Sequence, residues 1–245
     1  MLLGAAFPLA TAALFAYVGG LTRHRHVMAA DRPASLAFAT WWYGAAAVLS
    51  LNGGQTLLAL VGVKDVALYL TLIFAQALPL AAALAGLLIY LAYLYFGHFR
   101  AVAPIAAFYV LFLSYTLYYF SSLGPWTLHQ SEWDSRLLSG NSRPDAAFYT
   151  FIVLLTVPVI VAAVAYASLY ARSPERTQRF RIALVSLAFL LWFGAMAVGF
   201  IAVPPQTSWY PLVYQAPGLF ASLLILLAFR PPSWVQRRYH VAAVA

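Results

Sequence analysis

The chain has 245 residues, of which 64% are hydrophobic and only 8% charged, and its mean hydropathy is +0.83. This composition lies far from that of a soluble globular domain and indicates an integral membrane protein. The net charge of +8 does not indicate nucleic-acid binding, because the arginines lie in alternate connections between apolar runs. The absence of cysteine excludes disulfides, thiolate catalysis and Cys-ligated metals.

Seven apolar runs follow one another along the chain, each of a length that can cross a bilayer core, which takes about 20 residues. The first run is expected to be an uncleaved span rather than a secretory signal, because its positive charges follow it instead of preceding it. Residues 121–145 form the one long polar connection, and residues 230–245 form a basic tail. The predicted all-α bundle has spans at 1–21, 36–63, 66–96, 104–120, 146–171, 182–203 and 209–229.

The third run, residues 66–96, is the longest, and we expect it to be the central helix of the bundle. It carries no charge, and Pro79 in its middle is a natural site for a kink. Small residues follow the proline at Ala81–Ala83, Ala85 and Gly86. Such residues let neighbouring helices approach closely, so we expect a tight helix crossing here.

The distribution of basic residues predicts the orientation of the seven spans. Three basic residues fall on the side that we take to be outside, namely Lys64, Arg136 and Arg143. This excess on one side predicts that the N-terminus is outside and the C-terminus cytoplasmic. The other eleven lie on the predicted inner side: Arg23, Arg25, Arg32, Arg100, Arg172, Arg176, Arg179, Arg181, Arg230, Arg237 and Arg238.

By this division, no acidic residue, lysine, arginine or histidine lies inside a span. Pumps, proton-coupled transporters and voltage sensors generally rely on ionisable groups within the membrane. A retinal Schiff base needs a lysine in the bundle, and haem held between helices needs axial His or Met ligands. We therefore expect no cofactor and rank a membrane enzyme or transporter last.

Uncharged polar residues in the outer halves of the spans are the candidate ligand-binding residues. Amides in hydrocarbon need partners and should face the bundle interior, where with aromatic rings they would line a pocket. The alternative is that the amides join helices by hydrogen bonds and the tyrosines form an interfacial belt. The candidates are Asn52, Gln55, Gln76, Tyr115, Tyr119, Tyr214 and Gln215.

Two of these amides lie beside prolines that interrupt helical hydrogen bonding. Gln76 precedes Pro79 by three residues, and Gln215 precedes Pro217 by two. An uncharged amide beside a kink presents hydrogen-bonding groups without burying charge. We therefore expect Gln76 and Gln215 to point into one cavity that also contacts Tyr214 and either Asn52 or Gln55.

The connections offer only weak metal-binding patterns. His24, His26 and His98 fall on the predicted inner side, and His129 lies near Glu132 and Asp134 in the long connection. Solvated histidines explain both groups at least as well, and we expect no metal site. The long connection is expected either to contain the extended structure of the chain or to carry a short helix around Trp133–Leu138. The basic connection at residues 172–181 could contact anionic lipid or an acidic partner, although inside-positive bias alone explains it.

Two spans and one connection carry a resemblance to a known class of membrane region. The segments are Leu36–Leu51 (LAFATWWYGAAAVLSL), Leu78–Gly97 (LPLAAALAGLLIYLAYLYFG) and the Arg-Ser-Pro-Glu-Arg connection after the fifth span. They resemble the seven-transmembrane sensory regions at the N-terminus of some bacterial histidine kinases and cyclases. The resemblance implies a multi-pass protein of a bacterial plasma (inner) membrane. No kinase or cyclase domain follows the seventh span, so we expect output to pass through a partner protein.

These observations predict a receptor-like, sensory membrane protein that binds a small apolar ligand in an outer-half pocket. The alternative is a non-catalytic membrane subunit of a larger respiratory or transport complex, in which the bundle only packs. An outward-opening cavity lined by the amides and tyrosines would favour the first. A closed interior with a small-residue stripe facing lipid would favour the second.

Overall fold

The computed structural model describes residues 1–25, 32–131, 133–139, 146–203 and 207–239. These residues form an almost entirely helical structure with one small antiparallel sheet, in agreement with the predicted all-α class. The elements in chain order are α1 (Leu2–Arg25), α2 (Arg32–Leu60), α3 (Val66–Phe96), α4 (Val102–Ser122), β1 (Trp126–Gln130), β2 (Ser135–Ser139), α5 (Ala146–Arg172), α6 (Arg176–Ala202), α7 (Leu212–Phe229) and α8 (Ser233–Tyr239).

The lengths and compositions of these helices are those of a multi-pass membrane protein. Among the described residues, α1 to α6 each have the length and hydropathy to cross a membrane. Helices α7 and α8 meet at an angle of 67° and provide a seventh crossing if the bent pair is counted as one span. The count is therefore six or seven.

Helix α3 covers the predicted third run, and local interactions explain both of its ends. At the start, the Asp65 side chain accepts hydrogen bonds from the backbone N–H groups of Ala67 (2.9 Å) and Leu68 (3.4 Å). At the other end, Gly97 adopts a left-handed conformation with φ 67°, and its N–H donates to the carbonyl of Tyr93. Glycine reaches this conformation without the steric penalty of a Cβ, so the helix stops here.

The predicted small-residue crossing forms between α2 and α3. A Cβ added at Gly86 would lie 2.5 Å from the carbonyl oxygen of Ala37 on α2. In the facing helix, a Cβ added at Gly44 would lie 2.6 Å from the carbonyl oxygen of Pro79 and 2.8 Å from the Cβ of Ala83. The two backbones are thus held closer than larger side chains would permit.

Helix α2, rather than α3, is the more buried of this pair, which differs from the prediction that α3 is central. Half of the residues in the most apolar stretch of α2 are buried, against a third in α3. The reason lies in Trp41 and Trp42, which are fully buried and reach the other side of the bundle. Trp41 packs on Phe189 of α6 at 5.3 Å between ring centroids, and Trp42 packs on Phe15 of α1 at 5.4 Å.

The remaining helices are arranged around this aromatic centre. Helix α7 packs mainly on α6 and α1, α3 packs mainly on α2 and α4, and α5 packs mainly on α6. The ends of the bundle differ in character. We call the end that carries the turn at residues 61–65 and the two strands the hairpin end. We call the opposite end, with Arg23, Arg100, Arg172 and Arg230, the arginine end.

The predicted short helix at Trp133–Leu138 is wrong, because these residues form the turn and second strand of a β-hairpin. Strand β1 pairs with β2 in antiparallel register, with Leu128 opposite Leu137. Leu137 is buried beside Tyr69 and Ala59, at the ends of α3 and α2. The apolar face of the hairpin therefore covers the α2–α3 turn, and this contact favours extended pairing over an isolated helix turn.

At the arginine end, two basic segments that the sequence predicts to lie outside the spans are helical. Helix α6 begins at Arg176, six residues before the predicted span, because the arginine-bearing segment continues the helix beyond the apolar stretch. The basic tail forms α8, which is held to the bundle by the buried side chain of Val235.

Candidate functional site

A cavity of about 220 Å³ lies between α5 and α6, on the hairpin side of their midpoints. Its deep wall is formed by the buried residues Leu155, Val159 and Phe189, whereas Ile160 and Leu190 at its edge are each 60% exposed. The cavity therefore opens sideways onto the lipid-facing surface. It is lined by Ile152, Leu155, Thr156, Val159, Ile160, Ala163, Phe189, Leu190, Phe193, Gly194 and Met196.

The chemistry of this cavity is almost purely apolar. Its polar side chain is Thr156, whose hydroxyl already donates to the carbonyl oxygen of Ile152 at 2.8 Å. A ligand in this cavity would be held by apolar contacts rather than by hydrogen bonds. Pockets for drug-sized ligands span about 300–1,000 Å³. The present cavity suits a smaller apolar molecule or a segment of a hydrocarbon chain.

Glycine at position 194 helps to keep this cavity open. A Cβ added there would meet no heavy atom within 4 Å, so the backbone of α6 borders empty space. Phe193 beside it turns toward Phe189, with which it stacks at 5.8 Å between ring centroids. The aromatic rings thus fill the bundle interior while the glycine leaves the outer part free.

The first group of predicted site residues lies on α2 and α3. Gln55 is buried, and its Nε2 donates to the carbonyl oxygen of Tyr69 on α3 across 3.5 Å. Asn52 and Gln76 are half-buried on α2 and α3. Gln55 thus acts as a link between helices, as the alternative interpretation of these amides expects.

A shallow groove lies beside this interface but is lined by other residues. It runs along Ser50, Leu51, Gly54, Leu57, Leu58, Val61 and Leu72, with a volume of about 390 Å³. The predicted amides are not among its lining residues. The groove is apolar and open, and it does not assemble the predicted site.

Two of the three predicted tyrosines lie on α4, where Tyr119 contacts α5. Tyr115 and Tyr119 stack on each other with 6.4 Å between ring centroids, and Tyr119 is buried. Tyr119 also stacks on Phe151 of α5 at 5.7 Å. These rings join two helices near the hairpin end, and Phe151 directly precedes Ile152, a lining residue of the α5–α6 cavity.

The third group lies on α7. Gln215 is only 4% exposed, and neither atom of its amide has a hydrogen-bond partner in the protein. The side chain of Tyr214 lies outside the described residues. Because α7 packs mainly on α6 and α1 while α3 packs mainly on α2 and α4, Gln76 and Gln215 belong to different helix pairs. The six candidates whose side chains are described therefore lie on α2, α3, α4 and α7, and the ligand-binding role of all seven stays a prediction.

The hairpin end contains a buried ion pair between Asp134 and Arg136, which the sequence alone does not indicate. Asp134 Oδ2 lies 3.6 Å from Arg136 Nη1, and the Asp134 side chain is 5% exposed. Arg136 Nη2 donates to the carbonyl oxygen of Thr207 at 2.9 Å, and its guanidinium lies 5.0 Å from the Tyr210 ring centroid. The pair thus ties the hairpin to the segment that enters α7.

The pKa of Asp134 is raised above its ordinary value, chiefly because burial disfavours the charged carboxylate. Arg136, a hydrogen bond from Ser131 and the positive charges of His129 and the N-terminus act in the opposite direction without outweighing burial. Ser131 Oγ donates to Asp134 Oδ1 at 2.9 Å and closes the turn of the hairpin.

The predicted metal groups fall partly outside the described residues. His26 and Glu132 are not described, so neither histidine group is tested. Among the residues that are described, no cluster of three or more His, Asp or Glu side chains has a metal-binding arrangement.

The sequence did not indicate the α5–α6 cavity, because its lining carries no charge or amide and its polar residue, Thr156, bonds within its own helix. A run such as Phe189–Met196 reads as an ordinary apolar span, and only the glycine at 194 departs from a bulky wall. Gaps between side chains depend on how two helices meet, which periodicity does not specify.

Comparison with known proteins adds no family assignment. No protein-family model matches the chain, and a search of curated proteins finds no match. The resemblance to seven-transmembrane sensory regions stays a prediction.

Proposed function

We propose that this protein is a receptor-like membrane protein that binds a small apolar ligand between α5 and α6 and signals through a partner protein. The observation that carries the proposal is the apolar cavity of about 220 Å³ beside Gly194. A ligand that partitions into the bilayer can reach it sideways, because its edge residues face lipid. Burial of apolar surface then supplies the binding free energy, at about 25 cal/mol per Å².

The proposal includes an orientation and a location. The N-terminus and hairpin end face the outside of a bacterial plasma membrane, and the arginine end faces the cytoplasm. The distribution of basic residues, eleven against three, supports this orientation. The cavity then lies in the outer half of the bilayer, as the sequence predicts for the pocket, although its lining residues are different.

Hydrocarbon photolabelling of the reconstituted protein tests the ligand site. The probe is a short alkyl diazirine, and labelled peptides are mapped by mass spectrometry. We expect labelling concentrated on the α5 and α6 segments that line the cavity. Gly194→Leu should reduce this labelling several-fold, because the new side chain fills the open space beside α6.

Gly54→Leu provides the matched control, because a Cβ at Gly54 also meets open space but borders the separate α2–α3 groove. It should leave α5–α6 labelling unchanged. Equal labelling of the wild type and the Gly194→Leu variant would mean that the probe only reports lipid exposure, and the cavity would lose its assigned role.

A second function, that of a packing subunit in a larger membrane complex, is favoured by the exposed faces of α4 and α6. On α4, Val110, Leu111 and Tyr118 are each more than 60% exposed. Only 17% of the most apolar stretch of α6 is buried. A partner helix that covers α6 in native membranes would suppress photolabelling of α6. Labelling of α6 would then increase once the protein is purified away from that partner.

A further inference from the structure

We infer that α8 and the start of α6 form a binding surface for anionic lipid headgroups at the arginine end. This inference goes beyond the proposed ligand site, which lies in the opposite half of the bundle. The surface, here called the basic platform, consists of Arg176, Arg179, Trp234, Arg237 and Arg238.

The geometry of α8 places it across the end of the bundle rather than along it. Its axis departs by 67° from that of α7. Val235 is buried against the bundle at 2% exposure, and Gln236 Nε2 donates to the carbonyl oxygen of Pro231 at 2.7 Å. The burial of Val235 shows which face of α8 turns inward, and the Gln236 contact ties α8 to the residues that precede it.

The outward face of α8 combines an aromatic ring with two positive charges. Trp234 is 60% exposed, and Arg237 and Arg238, three and four residues later, are also exposed. Residues with this spacing lie on one side of a helix. Tryptophan at the boundary of a membrane prefers the headgroup level, where its ring and N–H are both accommodated. Arginine forms paired hydrogen bonds with phosphate.

A ring contact joins α8 to the beginning of α6. Tyr239 stacks on Phe180 with 5.9 Å between ring centroids. Phe180 directly follows Arg179, and Arg176 is exposed one turn earlier. The contact therefore brings two basic segments that are far apart in sequence to neighbouring positions.

The charge balance favours an anionic partner. Among the described residues, the acidic side chain next to the platform is Glu175. The ion pair that the structure describes, between Asp134 and Arg136, lies at the hairpin end. A lipid headgroup fits better than an acidic protein, because Trp234 lies beside the arginines at the level where α7 ends. Each arginine near an anionic membrane surface contributes about a fivefold gain in affinity.

Lipid competition on the full chain tests the platform. The protein is placed in nanodiscs with equimolar phosphatidylglycerol and phosphatidylcholine, and lipids retained after release are counted by native mass spectrometry. We expect phosphatidylglycerol to be enriched about tenfold or more in the wild type, and the enrichment to weaken at high salt. The double variant Arg237→Gln/Arg238→Gln should lose most of it.

The control variant Arg23→Gln/Arg100→Gln removes the same charge from the same end, but on α1 and in the α3–α4 connection. It should keep most of the enrichment. Equal losses in the two variants would show general charge attraction and would overturn the platform, as would a wild type without preference. A third result would assign the platform to an acidic protein. Polyglutamate would then bind the wild type in neutral nanodiscs but not the Arg237→Gln/Arg238→Gln variant, and the two proteins would show the same lipid preference.

Discussion

At the scale of single residues, the ion pair of the hairpin illustrates how burial and charge compete. Asp134 has an arginine partner, yet its pKa is raised, because removal of the carboxylate from water costs more than its partners return. Arg136 has two contacts besides Asp134, with the Thr207 carbonyl and the Tyr210 ring, whereas its Nε and Nη1 have no hydrogen-bond partner in the structure. The two members of the pair should therefore respond differently to neutralisation.

Arg136→Gln should lower the free energy of unfolding by on the order of 3 kcal/mol, since it leaves a buried carboxylate without its counter-charge. Asp134→Asn should be neutral or stabilising at pH 7, because it keeps an acceptor for Ser131 and removes the charge. Thermal unfolding in detergent, followed by tryptophan fluorescence, measures both. Equal destabilisation by the two variants would contradict a dominant effect of burial.

The pH dependence follows from the same raised pKa. The folded state holds the Asp134 proton more tightly than the unfolded chain, whose value is close to 3.8. The stabilisation of the folded state by this tighter proton binding is fully present below the unfolded-state pKa and is lost as pH rises through the folded-state pKa of Asp134. We expect Asp134→Asn to remove this part of the pH dependence.

At the scale of the elements, the close contact between α2 and α3 depends on the absence of side chains at Gly44 and Gly86. Gly86→Ala should destabilise the protein by about 1–3 kcal/mol, because its Cβ would press on the carbonyl of Ala37. Gly54→Ala is the matched control on a spanning helix: its Cβ meets open space, so the variant should be neutral or slightly stabilising. Denaturation in sodium dodecyl sulfate would rank the two, and a Gly86→Ala variant as stable as the control would exclude a tight crossing.

The same elements explain how far the sequence can be interpreted. Runs of apolar residues predict helices well, since the bilayer demands about 20 of them in succession, and α3 covers the predicted residues 66–96. Extended structure in the long connection is one of the two expectations from the sequence, and the hairpin itself does not follow from it, because the hairpin packs on the distant Tyr69 and Ala59. The site was the hardest part. Gln55 and Tyr119 are polar residues that join helices, whereas the cavity beside Gly194 has no amide or charged residue in its lining.

At the scale of the whole molecule, the orientation in the membrane can be tested directly, because the chain contains no cysteine. Lys64 and Glu175 are exposed at the hairpin end and the arginine end, respectively. A cysteine at position 64 should react with a membrane-impermeant maleimide in intact cells, and one at position 175 only after permeabilisation. Labelling of position 175 from outside intact cells would reverse or refute the proposed topology.

The hairpin also has a consequence for the order in which the molecule is made. It emerges from the ribosome after α4, when its partners Gly4, near the Trp133 carbonyl, and Tyr69, beside Leu137, already exist. Thr207 and Tyr210, which receive Arg136, are synthesised about 70 residues later. The hairpin can therefore pack on the early helices first, but the contacts of Arg136 with Thr207 and Tyr210 form only when α7 has been inserted. A chain halted before α7 therefore carries a hairpin without the contacts of Arg136 to Thr207 and Tyr210, which exist only in the completed bundle.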